Sequence, residues 1–437
     1  MLSIIIILSI ALAIFLGYRT KINTGLFCIV FAYIIGCFVM GLKPKQIIGF
    51  WPTSTMFVIL SVSLFYNFAA INGTLEKMSG ALLYACRNFP GLLPYALFAV
   101  AVILSVMGAT FFTVLAFLAP ITLVICDESR MDKLTGAVAI NCGALAGGNF
   151  PPSNLGVVFR GLSDTAYEAS PEIAAVDSFN MEMKIFAFAI FFSLILITIF
   201  RFGFKENRNI GKGVTFKKPE SFTKDQKTTL TLMMAMMAVV LIFPLLNILM
   251  PGNAAVKYIS GKVDVGLVAI IFTVIALLLK LAPQKEAIAK VPWNTIIMIA
   301  GAGMLIAVAV EAGTIEALST WIGSNVPKPL VPIAFCLVGA IMSFFSSTTG
   351  VVAPALFPLI PNLAASVGLS APVLFACTIL GAQSSAISPF SSGGSLILGS
   401  TPKEEERNEL FNRLLMVAVP ISVITCTIYN FVIAMVL

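Results

Sequence analysis

Long apolar segments follow one another along almost the whole chain, separated by short polar stretches. A helix needs roughly 20 apolar residues to cross a hydrocarbon core about 30 Å thick. Ten segments come close to that length or exceed it, at residues 2–17, 24–41, 53–71, 135–159, 184–202, 229–250, 265–281, 293–310, 371–399 and 411–437. The pattern predicts an all-α polytopic membrane protein with ten crossings.

Two further apolar stretches, 91–125 and 329–365, are interrupted near their middle. The first is broken at residues 108–110 and the second at residues 346–350, and each carries proline in its second half. We interpret each stretch as a re-entrant hairpin, which enters and leaves the membrane by the same face.

Two of the ten segments contain runs of small and polar residues. Gly143–Gly156 reads GALAGGNFPPSNLG, and Gly381–Gly394 reads GAQSSAISPFSSGG. Proline removes a helical hydrogen bond, and backbone groups freed inside a bilayer find no water. Such a run is tolerated where the freed groups line a binding cavity. We therefore predict broken helices over 135–159 and 371–399, interrupted at Pro151 and Pro389.

The two halves of the chain resemble each other at a fixed offset of 238 residues, the separation of the two runs. Comparing 105–161 with 343–399 without gaps gives eleven identities: Ser105/Ser343, Thr110/Thr348, Val114/Val352, Leu118/Leu356, Pro120/Pro358, Gly143/Gly381, Ala144/Ala382, Pro151/Pro389, Ser153/Ser391, Gly156/Gly394 and Gly161/Gly399. Upstream, the motif GTxE at 73–76 recurs at 313–316, and KINTGL at 21–26 resembles KVDVGL at 262–267.

This repeat defines the domain organisation. Residues 1–202 form the first repeat, 203–228 a flexible cytoplasmic linker, and 229–437 the second repeat. Each repeat contributes five crossings and one hairpin, and an odd number of crossings forces the second copy to insert upside down. The expected architecture is an inverted repeat of 5+5 transmembrane helices.

Composition and charge agree with a membrane protein and orient it. Charged residues make up 11% of the chain, against about a quarter in soluble domains. With the N-terminus outside, 20 of the 27 basic residues face inward, as the positive-inside rule requires. We therefore expect the protein in the cell inner (plasma) membrane with both termini on its outer side. An acidic loop also lies on that side, with Asp164, Glu168, Glu172, Asp177 and Glu182. The surplus of positive charge reflects topology, so we expect the lipid bilayer and no nucleic acid as a partner.

The breaks and tips carry the candidate chemistry. A half-helix that begins at a break directs N–H groups at an anion, and one that ends there offers carbonyl oxygens to Na⁺. No Lys, Arg, Asp or Glu lies in either tip or either broken run. The predicted ligands of an anionic substrate are Thr110, Pro151, Ser153, Asn154, Ser347, Thr348, Thr349, Pro389, Ser391 and Ser392. The predicted Na⁺ ligands are Thr110, Asn149, Thr348 and Ser388.

Three segments resemble a known family. They are SLFYNFAAINGTLEKM from Ser63, VPWNTIIMIAGAGMLIAVAVEAG from Val291 and SPFSSGGSL from Ser388. They are similar to the divalent-anion/sodium symporter family of the ion transporter superfamily, and within it to the malonate/dicarboxylate carrier branch. The family's hairpin tips carry Ser-Asn-Thr, whereas residues 109–111 here read Ala-Thr-Phe and 347–349 read Ser-Thr-Thr.

The resemblance implies an elevator-type transporter, usually a homodimer, with a scaffold and a mobile transport domain. Two hairpins and two unwound helices would hold a dicarboxylate and sodium ions. We therefore expect a secondary active transporter of a small dicarboxylate such as malonate or succinate, coupled to Na⁺, working by alternating access.

Three other functions are weighed against this one. A cation/proton or oxyanion exchanger of the same superfamily should show buried acidic residues near the breaks, and none is apparent there. A membrane-embedded enzyme needs a catalytic base or nucleophile at membrane depth. The chain has no His and no evident intramembrane carboxylate, so no enzyme is expected. A passive channel would show no counterflow exchange.

Overall fold

The computed structural model describes residues 2–20, 22–85, 90–205, 207, 220–250, 253–260, 262–345, 347–401 and 403–436, in which all regular elements are helices. The first half contains α1 (Leu2–Thr20), α2 (Thr24–Tyr33, extended by a π-helix over Ile34–Val39), α3 (Pro44–Gly49), α4 (Thr53–Ile71), α5 (Thr74–Ala85), a 3₁₀ turn (Pro90–Leu92), α6 (Leu93–Val106), α7 (Phe111–Ser129), α8 (Lys133–Gly148), α9 (Asn154–Glu168) and α10 (Ser178–Gly203).

The second half is also helical throughout its described residues. It contains α11 (Lys224–Leu249), α12 (Ala254–Ser260), α13 (Val265–Leu278), α14 (Gln284–Ala289), α15 (Trp293–Glu311), α16 (Thr314–Asn325), a 3₁₀ turn (Lys328–Leu330), α17 (Val331–Phe345), a π-helix (Thr348–Val352), α18 (Ala353–Leu356), a 3₁₀ turn (Phe357–Leu359), α19 (Ile360–Val367), α20 (Ala371–Ser384), α21 (Ser392–Gly399), α22 (Glu404–Arg413), a π-helix (Leu414–Ala418) and α23 (Val419–Val436).

Six helical stretches in the described ranges are long and apolar enough to cross a membrane. They are Phe111–Ser129, Ser178–Gly203, Lys224–Ile242, Trp293–Glu311, Thr348–Val367 and Glu404–Val436, and six apolar helices of 10–17 residues accompany them. The prediction of a multi-pass helical membrane protein is confirmed. The count of ten crossings stays a prediction.

Helices are interrupted where the sequence predicts. The first hairpin turns between α6 and α7, and the second turns between α17 and the helix that begins at Thr348; the predicted tip residue Ser346 lies outside the described residues. Residues 149–153 separate α8 from α9, and residues 385–391 separate α20 from α21. Pro151 and Pro389 therefore lie within breaks.

The predicted acidic outer loop is wrong for three of its five residues. Asp164 and Glu168 belong to α9, and Glu182 belongs to α10, where it is fully buried. Helix α10 begins six residues before the predicted apolar segment because Asp177 caps it. The carboxylate oxygen Oδ1 of Asp177 accepts hydrogen bonds from the backbone N–H groups of Phe179, at 2.9 Å, and Asn180, at 3.1 Å.

The beginning of the predicted linker packs against the helices. Asn207 is buried, and its side chain donates to Oγ1 of Thr135 at 2.8 Å and accepts from the backbone N–H of Asp132 at 2.9 Å. Residues 206 and 208–219 lie outside the described part of the chain. The linker prediction is therefore untested over half of its length, and its last five residues, 224–228, belong to α11.

Contacts between elements recur at the repeat offset. Helix α6 packs closely on α8, and α17 packs closely on α20. A methyl group added at Gly143 would collide with the carbonyl oxygen of Phe98, and one added at Gly381 would collide with that of Cys336. Phe98 and Gly143 correspond to Cys336 and Gly381 at the repeat offset of 238 residues. Likewise α2 packs on α15 while α13 packs on α4, which is the reciprocal contact that two related copies would make.

Candidate functional site

A cavity of about 450 Å³ lies where both hairpin tips and both broken helices meet. The tips contribute Thr110 and residues 347–349, and the broken helices contribute Asn154, Gln383 and Ser391. The remaining wall comes from α4 and from the start of α15, with Lys290 beside it. Pockets of roughly 300–1,000 Å³ are typical of small-molecule sites, so the cavity has the size of a ligand site.

The first tip is shaped by a glycine. Gly108 has a φ of +91°, and the ring of Tyr66 from α4 occupies the place of a side chain there. After this turn Thr110 caps α7, because its hydroxyl oxygen accepts from the backbone N–H of Thr113 at 3.2 Å. The two threonine hydroxyls lie 2.8 Å apart and both residues line the cavity.

The second tip presents three adjacent hydroxyls. Ser347 caps the following helix by accepting from the backbone N–H of Gly350 at 3.2 Å, and its Oγ lies 3.2 Å from Oγ1 of Thr349. Oγ1 of Thr348 lies 3.0 Å from Oγ of Ser343, which also lines the cavity. A hydroxyl both donates and accepts, so this tip can hold an anion or a cation.

The first break is closed by a serine and leaves a helix start open. Ser153 is buried, and its hydroxyl lies 2.9 Å from the carbonyl oxygen of Ser105 and 3.0 Å from that of Gly147. The hydroxyl is thus turned toward the preceding backbone, and it does not cap α9. Because Asn154 and Leu155 line the cavity, the positive end of the α9 dipole lies at its edge.

The second break uses serines in the same way. The hydroxyl of Ser391 donates to the carbonyl oxygens of Ala386 and Ser388, and that of Ser385 donates to the carbonyl oxygen of Ala340 at 2.7 Å. Ser388 is buried, and its hydroxyl accepts from the backbone N–H of Phe390 at 3.2 Å. Carbonyl groups freed by the break are therefore satisfied largely within the protein.

A pair of amides joins the two broken helices. Nδ2 of Asn149 donates to Oε1 of Gln383 at 3.0 Å, and Nε2 of Gln383 donates back to Oδ1 of Asn149 at 2.7 Å. Both side chains are buried. The reciprocal pair fixes the end of α8 against the end of α20 and uses both polar atoms of Asn149.

The structure brings six of the predicted site residues to the cavity and leaves five outside its lining. Those that line it are Thr110, Asn154, Ser347, Thr348, Thr349 and Ser391. Those that are buried elsewhere are Asn149, Pro151, Ser153, Ser388 and Pro389. The side chain of Ser392 lies outside what the structure describes. Of the four predicted Na⁺ ligands, Thr110 and Thr348 line the cavity.

The cavity is also lined by six polar residues that the sequence does not mark as candidate ligands, namely Asn67, Thr113, Lys290, Thr295, Ser343 and Gln383. Gln383 stands among the serines of the second small-residue run, where nothing distinguishes it as a wall residue. Lys290 lies just before the VPWNT segment and looks like an ordinary interfacial lysine; its side chain is 46% exposed and lies 3.8 Å from Glu286. No motif signals that either residue faces the cavity.

Oxygen atoms suited to a hard cation converge beside the cavity wall. A Cβ atom placed on Gly393 would lie 2.6 Å from the carbonyl oxygen of Ala386 and 2.9 Å from Oδ1 of Asn141. Asn141 is buried, and this Oδ1 has no hydrogen-bond partner in the part of the chain described. An unpartnered amide oxygen and a carbonyl oxygen are ligand types that hard cations accept, and the ring of Phe111 lies 2.8 Å from the same Cβ position.

Broken helices around a polar cavity are typical of secondary transporters. Comparison with known families agrees. The model described as dicarboxylate carrier protein MatC N-terminus matches residues 1–148, and the citrate transporter model matches residues 255–435. The chain is therefore a transporter and not an enzyme, and the resemblance found in the sequence is confirmed. No curated protein sequence matches the chain.

Two solved transporter structures share the fold. The YdaH transporter of Alcanivorax borkumensis superposes with a TM-score of 0.61 at 15% identity, covering 90% of this chain and 88% of that one. MtrF of Neisseria gonorrhoeae, which represents a class of antimetabolite efflux pumps, gives a TM-score of 0.61 at 14% identity, covering 90% of this chain and 83% of that one. At such identities the likeness concerns the fold alone.

Proposed function

We propose that this chain is a secondary active transporter of a small dicarboxylate, malonate or succinate in kind, coupled to Na⁺. The observation that carries the proposal is the single cavity lined by both hairpin tips and both broken helices. Its polar groups are hydroxyls, amides and a helix start, which suit carboxylates. The MatC match over residues 1–148 supports the substrate class.

The two carboxylates of the substrate would be held by different parts of the wall. The hydroxyls of Ser347, Thr348 and Thr349 can donate to one carboxylate, and the uncapped first turn of α9 can donate to the other. Lys290 would attract the dianion toward the cavity through its positive charge.

Sodium would reside beside Asn141 and the Ala386 carbonyl group, next to the second break. When bound there, Na⁺ supplies positive charge beside the anion. The chain's own residues orient the substrate and exclude lipid from it.

The inverted repeat, the elevator movement and the homodimer belong to the same proposal. The reciprocal contacts α2 with α15 and α13 with α4 support two related copies of one unit. The distribution of basic residues supports placement in the inner membrane with both termini outside.

A thermal-shift panel tests the proposal. Detergent-purified protein is heated with malonate, succinate or acetate, each with Na⁺ and with choline in its place. A ligand at 100 times its Kd stabilises the folded state by about 2.7 kcal/mol, so we expect dicarboxylates with Na⁺ to raise Tm by several degrees and acetate to have little effect.

Thr349→Val should remove most of this shift, because it deletes a cavity hydroxyl with little change of volume. Thr427→Val is the matched control, since its hydroxyl bonds to the carbonyl oxygen of Val423 within α23, away from the cavity. The absence of any dicarboxylate-dependent shift, or an equal loss in both variants, would refute the proposed site.

A further inference from the structure

Glu182 is a fully buried carboxyl that the proposed transport site does not use. It lies about one turn into α10, is 0% exposed, and neither carboxylate oxygen has a hydrogen-bond partner among the described residues. A buried charge without partners is highly unfavourable. Ionisable groups within membrane segments usually have a functional role, so this carboxyl needs an explanation.

The positive charge of Arg160 on α9 acts on the Glu182 carboxyl, and the carboxylates of Asp164, Asp177 and Asp264 act on Arg160 as well. Arg160 and Glu182 do not form an ion pair, and Nε of Arg160 has no hydrogen-bond partner in the described ranges. The guanidinium instead lies over the ring of Phe179, 5.3 Å from its centroid. Glu182 and Arg160 thus lie at the interface of α9 and α10 without forming an ion pair.

The other helices packed on α10 supply no charge near Glu182. Helices α6, α20 and α23 contain no charged residue, and the one in α8, Lys133, lies at the end near Phe200, roughly 27 Å along α10. The titratable side chains that face α10 from these helices lie further along α10 than Glu182. Tyr429 donates to the Phe188 carbonyl group, and Cys377 belongs to the cluster around Phe188. Tyr95 lies beside Thr198, and Cys142 lies beside Ser193.

Helix α9, which packs on α10, runs from the surface to the cavity. At the outer part of this helix Asp164 is exposed and accepts a hydrogen bond from Ser178 at 3.3 Å. Arg160 lies one turn deeper on the same helix. Val158 and Asn154, deeper still, line the cavity. Arg160 and the Glu182 carboxyl near it therefore lie in the layer between that surface and the cavity.

We propose that Glu182 is a proton-binding site that must be protonated for this layer to close. In the state described here the carboxyl carries a proton. When the layer opens and admits water, the proton passes to water and the carboxylate remains, facing Arg160; closure takes one proton back from the same side. The proposal rests on the proposed carriage of dicarboxylates, because its test measures their uptake.

The test is uptake of labelled succinate into proteoliposomes at external pH values from 8 to 6, with Na⁺ and internal pH fixed. Wild-type uptake should rise as the external pH falls, because protonation favours closure. Glu182→Gln imitates the protonated carboxyl and should make uptake nearly independent of external pH while uptake itself persists. Glu168→Gln, an exposed residue on α9, should keep the wild-type profile.

Arg160→Gln provides an independent readout. Without its positive charge the carboxyl holds its proton to higher pH, so the midpoint of the uptake profile should move upward by about one unit. A flat wild-type profile, or a Glu182→Gln profile like that of wild type, overturns the proton site. Absence of succinate and malonate uptake at every pH overturns the proposed function instead.

Discussion

At the residue scale, hydroxyl groups in the breaks and tips perform two different tasks. Those of Ser153 and Ser391 donate to carbonyl groups of the interrupted backbone. A backbone carbonyl group left without a hydrogen bond in a membrane is energetically costly. Those of Ser347, Thr348 and Thr349 line the cavity. The sequence marks both sets as candidate ligands, because a serine that closes a break and a serine that binds a substrate stand in the same kind of run.

The position of Lys290 leads to a prediction about substrate attraction. Lys290→Gln removes the positive charge beside the cavity, so KM for succinate should rise about three- to tenfold with little change in kcat. In this variant KM should also depend less on ionic strength than in wild type, because salt screens the charge of Lys290 in wild type only. Initial uptake rates at low and high salt measure both quantities.

Lys285→Gln is the matched control, because Lys285 is exposed on α14, the short helix that ends just before Lys290, and does not line the cavity. Equal effects of the two substitutions on KM would show that general surface charge, rather than the position of Lys290, is responsible.

At the element scale, the sequence predicts where helices are interrupted but not which side chains contact each other across the interruptions. Runs of proline, glycine and serine inside apolar segments identify the interruptions at 149–153 and 385–391. The Asn149–Gln383 pair joins residues 234 positions apart, and nothing local to either run indicates it. The acidic neighbours of Glu182 predict a loop, whereas the cap formed by Asp177 extends α10 over it. Tertiary contacts decide both cases.

The glycines that bring each hairpin against its broken helix lead to a prediction about stability. Gly143→Ala and Gly381→Ala should each destabilise the protein by about 1–3 kcal/mol, because the added methyl group meets a backbone carbonyl oxygen that cannot move freely. Thermal unfolding in detergent measures the change.

Gly399→Ala is the control for helix propensity, since among the described residues no atom beyond its chain neighbours and its own helix backbone lies within 4 Å of the Cβ position there. If Gly143→Ala and Gly381→Ala are no less stable than Gly399→Ala, the close approach of these helices is not what the structure indicates.

At the scale of the whole molecule, two transporter-family models match opposite ends of one chain, and the fold matches known transporters over 90% of its length. Within the chain, contacts made by α6 with α8 recur between α17 and α20. The sequence predicted this recurrence through small residues that set backbone breaks, since those positions tolerate few alternatives. The part of the cavity wall that α4 and α15 contribute depends on packing between the two halves of the chain. No local sequence pattern predicts that packing.

The central claim is that one cavity formed by two tips and two breaks carries a dicarboxylate by alternating access. Counterflow tests it most directly: proteoliposomes loaded with Na⁺ and unlabelled succinate are diluted into trace labelled succinate. The account predicts transient accumulation of label above equilibrium in wild type and in Thr427→Val, and its loss in Thr349→Val. Simple equilibration of label in wild type, as through a channel, or accumulation unaffected by Thr349→Val, would contradict it.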